Sequence, residues 1–133
     1  MSNGGTGSDR TRLFVQYWLP VLAYVSVIFF LSDQPHLQPP LHFQNSDKLM
    51  HLMEYGGLGL LAARAMRASF QQRAWVFCSL LVLGVGLAIA AGDECFQSLI
   101  PGRDSSVFDW LADGTGLTFA QLAYLAFAPE SKG

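Results

Sequence analysis

The sequence predicts an all-α polytopic membrane protein, a bundle of about four transmembrane helices. Three observations predict it. Of the 133 residues, 51% are hydrophobic and only 14% are charged, against about 25% charged in an ordinary soluble domain. Four apolar segments follow one another along the chain, each close to the roughly 20 residues that a bilayer-spanning helix needs. The polar residues gather at matching ends of those segments. Asp47, Lys48, His51, Glu54 and Tyr55 open the second, Asp93, Glu94 and Gln97 close the third, and Arg103, Ser106, Asp109 and Asp113 open the fourth. If the segments cross a bilayer in alternating directions, all three groups lie at one face. An ionisable group at the centre of a span costs about 2.5–3.5 kcal/mol on insertion scales, so the gathering reads as a site.

The elements follow in order. Residues 1–12 begin with a Gly/Ser-rich polar stretch and end on Arg10 and Arg12; they are expected to be a disordered cytoplasmic tail. Leu13–Leu31 carries no charge over 19 residues. It is too long for the apolar core of a secretory signal, and no A-x-A cleavage site follows, so it reads as a retained span. Pro20 falls in its first turns, where a missing N–H matters least. Residues 32–46 are polar and Pro-rich and read as a loop. Ser46 is expected to cap the next helix, with Asp47 in its first turn. The second span runs from about Lys48 to Met66, and a turn with Arg64, Arg67 and Arg73 leads to a third from Ala74 to Gly92. A Pro-Gly turn then leads to a fourth span, Ser106–Ala128, with residues 129–133 as a short C-terminal tail. Residues 13–128 thus form one four-helix transmembrane domain, with no repeat and no second domain.

Orientation follows from the bias of Lys and Arg toward the cytoplasmic side. Arg10, Arg12, Arg64, Arg67 and Arg73 flank one side, while the other has only Lys48 and Arg103, both inside the polar groups. Both termini are therefore expected in the cytoplasm of a bacterial cell, with the polar face outward. A net charge of −2 gives no case for nucleic acid. Cys78 and Cys95 are 17 residues apart on one expected helix, or roughly 25 Å, too far for a disulfide; both read as buried thiols. Gly84, Ala88 and Gly92 on the third span, and Ala112, Gly116 and Ala120 on the fourth, recur at i+4. Small residues at that spacing let helix backbones approach closely in lipid.

Asp47, His51, Glu54 and Tyr55 share one helix face by their spacing, and Asp109 and Asp113 lie one turn apart. Asp93 and Gln97 are also one turn apart, beside Glu94. A network that only ties helix ends together needs fewer polar groups than these. Hard metal ligands are present, but there is one helical His and no paired-His motif, so neither a bound metal nor a cofactor is expected. His51 oriented by Asp47 or Asp109 is the candidate acid/base, with Ser105 or Ser106 as a nucleophile without a supporting motif. Arg103, after its Pro-Gly turn, suits a phosphate or carboxylate.

These segments resemble the VanZ-like family of small bacterial integral membrane proteins. The resemblance is carried by S-D-K-L-M-H-L-M-E-Y at Ser46–Tyr55 and by the long block from Asp93 to Gly116. The family pattern falls on Asp47, Lys48, His51 and Tyr55, then on Asp93, Glu94, Gln97, Pro101, Gly102, Arg103, Ser106 and Asp109, and finally on Asp113 and Gly116. The resemblance implies a helical protein of the bacterial cytoplasmic membrane. It also implies a link to resistance to the glycopeptide teicoplanin, with which the family's naming member is associated. The leading expectation is a non-enzymatic envelope protein whose outward site binds an anionic lipid or a cell-wall precursor headgroup. Its ligand-binding residues are Asp47, Lys48, His51, Tyr55, Asp93, Glu94, Gln97, Arg103, Ser106, Asp109 and Asp113. The rivals are an enzyme acting on such a headgroup through His51, and an assembly partner of another membrane protein.

Overall fold

Leu, Val, Phe and Tyr run through the first apolar segment on every side, and in the computed structural model, which describes residues 5–35 and 43–128, it forms one long rod. The rod comprises α1 (Gly5–Leu13), a π-helical stretch (Phe14–Trp18) and α2 (Leu19–Ser32). The tail expected over residues 1–12 is thus helical from Gly5 onward. A helix already nucleated by the span extends at little cost, one hydrogen bond per added residue, and Thr11 Oγ1 bonds back to Gly7 O at 3.0 Å. Residues 1–4, 36–42 and 129–133 lie outside the described residues. With them go the start of the expected N-terminal tail, the whole of the expected C-terminal tail, the middle of the first loop, His36 and His42.

Pro20 lies well inside this rod rather than in its opening turns. Its ring would crowd the carbonyl of the residue four positions earlier and it donates no hydrogen bond. The preceding stretch widens to absorb this, with the Leu19 N–H reaching Phe14 O, five residues back. A π-bulge of this kind is an ordinary way for a helix to carry an interruption.

The other three rods are α3 (Ser46–Ser69), α4 (Trp75–Gln97) and α5 (Val107–Phe127). Ser46 is not the cap of α3. Asn45 holds that position in the left-handed conformation, φ 66°, without a side-chain cap bond, and Ser46 is buried as the first helical residue. Asn tolerates that conformation better than most residues. α4 also runs further than the hydropathy indicates. Asp93, Glu94 and Gln97 are inside the helix, because they are buried against polar partners rather than exposed to lipid.

α3 and α5 cross most closely, and glycine is the reason. A Cβ on Gly116 would lie 2.2 Å from Leu52 O and 2.9 Å from Gly56 N. One on Gly59 would lie 2.7 Å from Ala120 Cβ. The stripe expected on the fourth span therefore packs, with Gly116 and Ala120 buried. The stripe expected on the third does not: Gly84, Ala88 and Gly92 are exposed, and a Cβ on Gly84 or Gly92 would meet nothing within 4 Å. α4 instead turns Val82, Gly86 and Ala90 inward, and Gly86 faces Leu117. Cys78 is buried as expected, whereas Cys95 is exposed.

The core joins Val21 and Ile28 of α2 to Tyr55, Leu58 and Ala65 of α3, Ala90 of α4 and Leu117 of α5. Outside it, large apolar side chains such as Phe30, Val76, Leu80 and Phe119 are exposed. Among the described residues, two helices are long and apolar enough to cross a membrane, Gly7–Ser32 and Trp75–Gln97, and only 11% and 28% of their most apolar windows are buried. Apolar helices this uncovered by protein need a lipid environment to cover them. The first rod leans on α3 through Trp18 Nε1 of the π-helical stretch to Ser69 Oγ at 2.8 Å and through Tyr24 OH of α2 to Glu54 O at 3.0 Å.

Candidate functional site

The polar groups of α3, α4 and α5 meet at one end of the bundle and form two linked networks. The inner one surrounds Asp93, which is 1% exposed. One of its carboxylate oxygens accepts from the Ser32 hydroxyl. The other accepts from Gln97 Nε2 at 3.2 Å and Tyr55 OH at 3.4 Å. Gln97 Nε2 also reaches Ser32 Oγ at 3.2 Å. The helical spacing explains the first pair, since Gln97 lies one turn beyond Asp93. Ser32 closes the network from α2.

The outer network is built on His51. Its Nδ1 lies 2.9 Å from Asp113 Oδ1 and 3.7 Å from Glu94 Oε1. Asp113 is fully buried. Lys48 Nζ lies 3.1 Å from Asp47 Oδ2 and 3.5 Å from Asp109 Oδ1. Partial burial alone would raise the Asp47 carboxyl, but the hydrogen bond and charge of Lys48 outweigh it and hold Asp47 below its ordinary value. Ser106 is the N-cap of α5: its Oγ accepts from Asp109 N at 3.2 Å. Its own N–H donates to Glu94 Oε2 at 3.2 Å. One residue thus fixes the start of α5 against the end of α4.

Three carboxylate oxygens in this end of the bundle are buried and take no hydrogen bond: Glu94 Oε1, Asp109 Oδ1 and Asp113 Oδ2. Buried polar atoms are nearly always satisfied. A ring nitrogen of His51 and one carboxylate oxygen each of Glu94 and Asp109 lie within 4.8 Å of one another. The three helices therefore converge as their sequence pattern indicates.

A cleft of about 760 Å³ opens beside these networks, between α2, α3 and the turn before α5. Its α2 wall is mainly apolar, with Val27, Ile28 and Leu31, and its other wall carries His51, Glu54 and Arg103. Gly102 has φ 82°, which glycine adopts freely, and the Arg103 N–H closes the turn on Ile100 O at 3.1 Å. That turn brings Arg103 to the cleft.

Each residue expected at the site falls in one of these places. Asp47, Lys48, His51, Glu94, Ser106, Asp109 and Asp113 make the outer network, Tyr55, Asp93 and Gln97 the inner one, and Arg103 lines the cleft. Ser32 and Tyr24 are the residues the sequence reading passes over. Ser32 is the first polar side chain at the site end of the first apolar segment, and that depth was its signal. Glu54 presents its side chain to the cleft and its carbonyl to Tyr24. Ser105 is exposed, and Ser106 is engaged as the cap of α5.

Residues 9–128 match the family model described as VanZ/LLP1. No curated protein and no solved structure matches the chain.

Proposed function

Because the chain belongs to the VanZ/LLP1 family and so is a membrane protein, we propose that its cleft binds the headgroup end of an anionic lipid or a lipid-linked cell-wall precursor. The observation that supports this is the division of the cleft walls. Val27, Ile28 and Leu31 of α2 line the cleft together with Arg103 and His51, which stand among Asp47, Glu54, Asp104 and Asp109; this suits a molecule with an acyl chain at one end and, at the other, a charged group that the guanidinium anchors. A guanidinium is suited to phosphate or carboxylate. The Arg bias supports an outward-facing site in the bacterial cytoplasmic membrane, with both termini inside. A link to teicoplanin, implied by the family's naming member, would follow if the bound headgroup is a precursor on which that antibiotic acts.

Native mass spectrometry of the purified protein tests the reading. Wild type is expected to retain an anionic lipid through delipidation. Arg103→Lys keeps the charge but loses the planar fork, and is expected to fold with wild-type yield and bind that lipid several-fold more weakly. Equal retention by Arg103→Lys would make Arg103 a structural residue and remove the anion contact. A second reading draws on the 2.9 Å contact of His51 with Asp113, which orients the ring as a general base requires. On that reading the protein acts chemically on the headgroup, and lipid incubated with it would change mass.

A further inference from the structure

Among the described residues, the acids Asp47, Glu54, Asp93, Glu94, Asp104, Asp109 and Asp113 at the site end of the bundle outnumber the cations there, Lys48, Arg103 and His51. The imbalance is sharpest around His51. Lys48 is shared between Asp47 and Asp109, at 3.1 and 3.5 Å, so it does not neutralise the cluster alone. The Asp109 side chain is only 7% exposed, and its Oδ1 takes no hydrogen bond. Glu94 is 8% exposed, and its Oε1 also takes none. Buried carboxylates persist when they are paired or coordinate a metal.

We propose that His51, Glu94 and Asp109 form a binding site for one divalent cation of the Zn²⁺ or Mn²⁺ type. The convergence of their ligand atoms within 4.8 Å supports it, together with the two buried oxygens that lack a hydrogen bond. One imidazole and two carboxylates mix the preference of nitrogen for Zn²⁺ with that of oxygen for Mn²⁺ and Mg²⁺. Asp113 completes the arrangement as a positioning residue. It holds the His51 ring at 2.9 Å, as acids behind metal-binding histidines commonly do. His51 lines the open cleft, which gives an ion a path in. Lys48 is then a competitor, because its ammonium approaches the oxygen that an ion would use. The site shares His51 with the headgroup reading but does not rest on it, since uptake of the ion requires no lipid.

The test uses the full chain purified in detergent, stripped with chelator and equilibrated with Zn²⁺, Mn²⁺, Mg²⁺ or Ca²⁺ alone. Elemental analysis and thermal unfolding are the readouts. A single equivalent of Zn²⁺ or Mn²⁺ per chain is expected, with a raised melting temperature. His51→Ala and Asp109→Asn should abolish it, and Asp113→Asn should weaken it by about 10–100-fold. Lys48→Gln keeps His51, Glu94 and Asp109 and removes the ammonium that competes for Asp109 Oδ1, so it should bind several-fold more tightly. The proposal is overturned if stripped wild type takes up neither ion, if it takes up only Mg²⁺ or Ca²⁺, or if His51→Ala keeps full occupancy. Unchanged or weaker binding by folded Lys48→Gln overturns it as well.

Discussion

Ser32 carries more of the site than its plain chemistry suggests. It is buried, and it donates to Asp93 and accepts from Gln97. Ser32→Ala leaves two buried groups short of a partner, and an unmet buried group costs about 1–3 kcal/mol. Tyr55→Phe removes only a 3.4 Å contact, near the long end of useful geometry, and Asp93 keeps its other two donors. Thermal unfolding in detergent should therefore rank Ser32→Ala clearly below Tyr55→Phe. A larger loss from Tyr55→Phe would mean that the Tyr55 hydroxyl, not Ser32, holds Asp93. The contrast also shows what a sequence reveals at this scale. His51, Asp93, Glu94, Asp109 and Asp113 stand out because a charge in an apolar segment is expensive. A serine in the same place is cheap, so Ser32, marked only by its depth, and the hydroxyl of Tyr24 stand out far less. The partner of each acid is less legible still. Spacing places Asp47 near His51, yet His51 pairs with Asp113 from another helix, and Asp47 pairs with its neighbour Lys48.

Two helices carry the same small-residue spacing, and only one uses it. Gly116→Ala would drive a Cβ to 2.2 Å from a backbone oxygen of α3 and 2.9 Å from a backbone nitrogen. Backbone cannot step aside as a side chain can, so α3 and α5 must separate. Gly84→Ala meets nothing within 4 Å and removes the helix penalty of glycine, roughly 0.5–1 kcal/mol. Detergent-extracted yield and melting temperature should fall sharply for Gly116→Ala and hold or rise for Gly84→Ala. A tolerated Gly116→Ala would show that the two backbones do not meet as described. The spacing of Gly84, Ala88 and Gly92 gave no warning, because periodicity identifies a face without saying what lies opposite. On α4 the inward face is instead chosen by Asp93, Glu94 and Gln97, whose burial rotates Gly86 and Ala90 into the bundle. The helix ends were misjudged for a related reason. Hydropathy ends a span at its first acid, whereas Asp93 is better satisfied inside a helix whose neighbours supply its hydrogen bonds.

For the molecule as a whole, orientation is the property open to a direct check. In a background with Cys78 and Cys95 replaced by Ala, a cysteine at Asp104 should react with an impermeant reagent added outside intact cells. One at Gln71 should react only after lysis. Both positions are exposed, so the reversed pattern would invert the topology, and with it the outward site. The helical membrane architecture was readable because it rests on composition and segment length, which survive any error in detail. The cleft was not, because it depends on how far α2 leans from α3, and no pattern in either helix encodes that distance. The order of the helices has a consequence of its own. α1–α2 and α4 are apolar enough to enter a bilayer alone, whereas α3 and α5, the pair whose backbones touch, are not among the helices that pass that test. During synthesis α3 is complete while its glycine-lined partner is still unmade. Its close contact with Gly116 and Ala120 can form only once α5 has been made. The tightest joint in the finished protein is the last one that the growing chain can make.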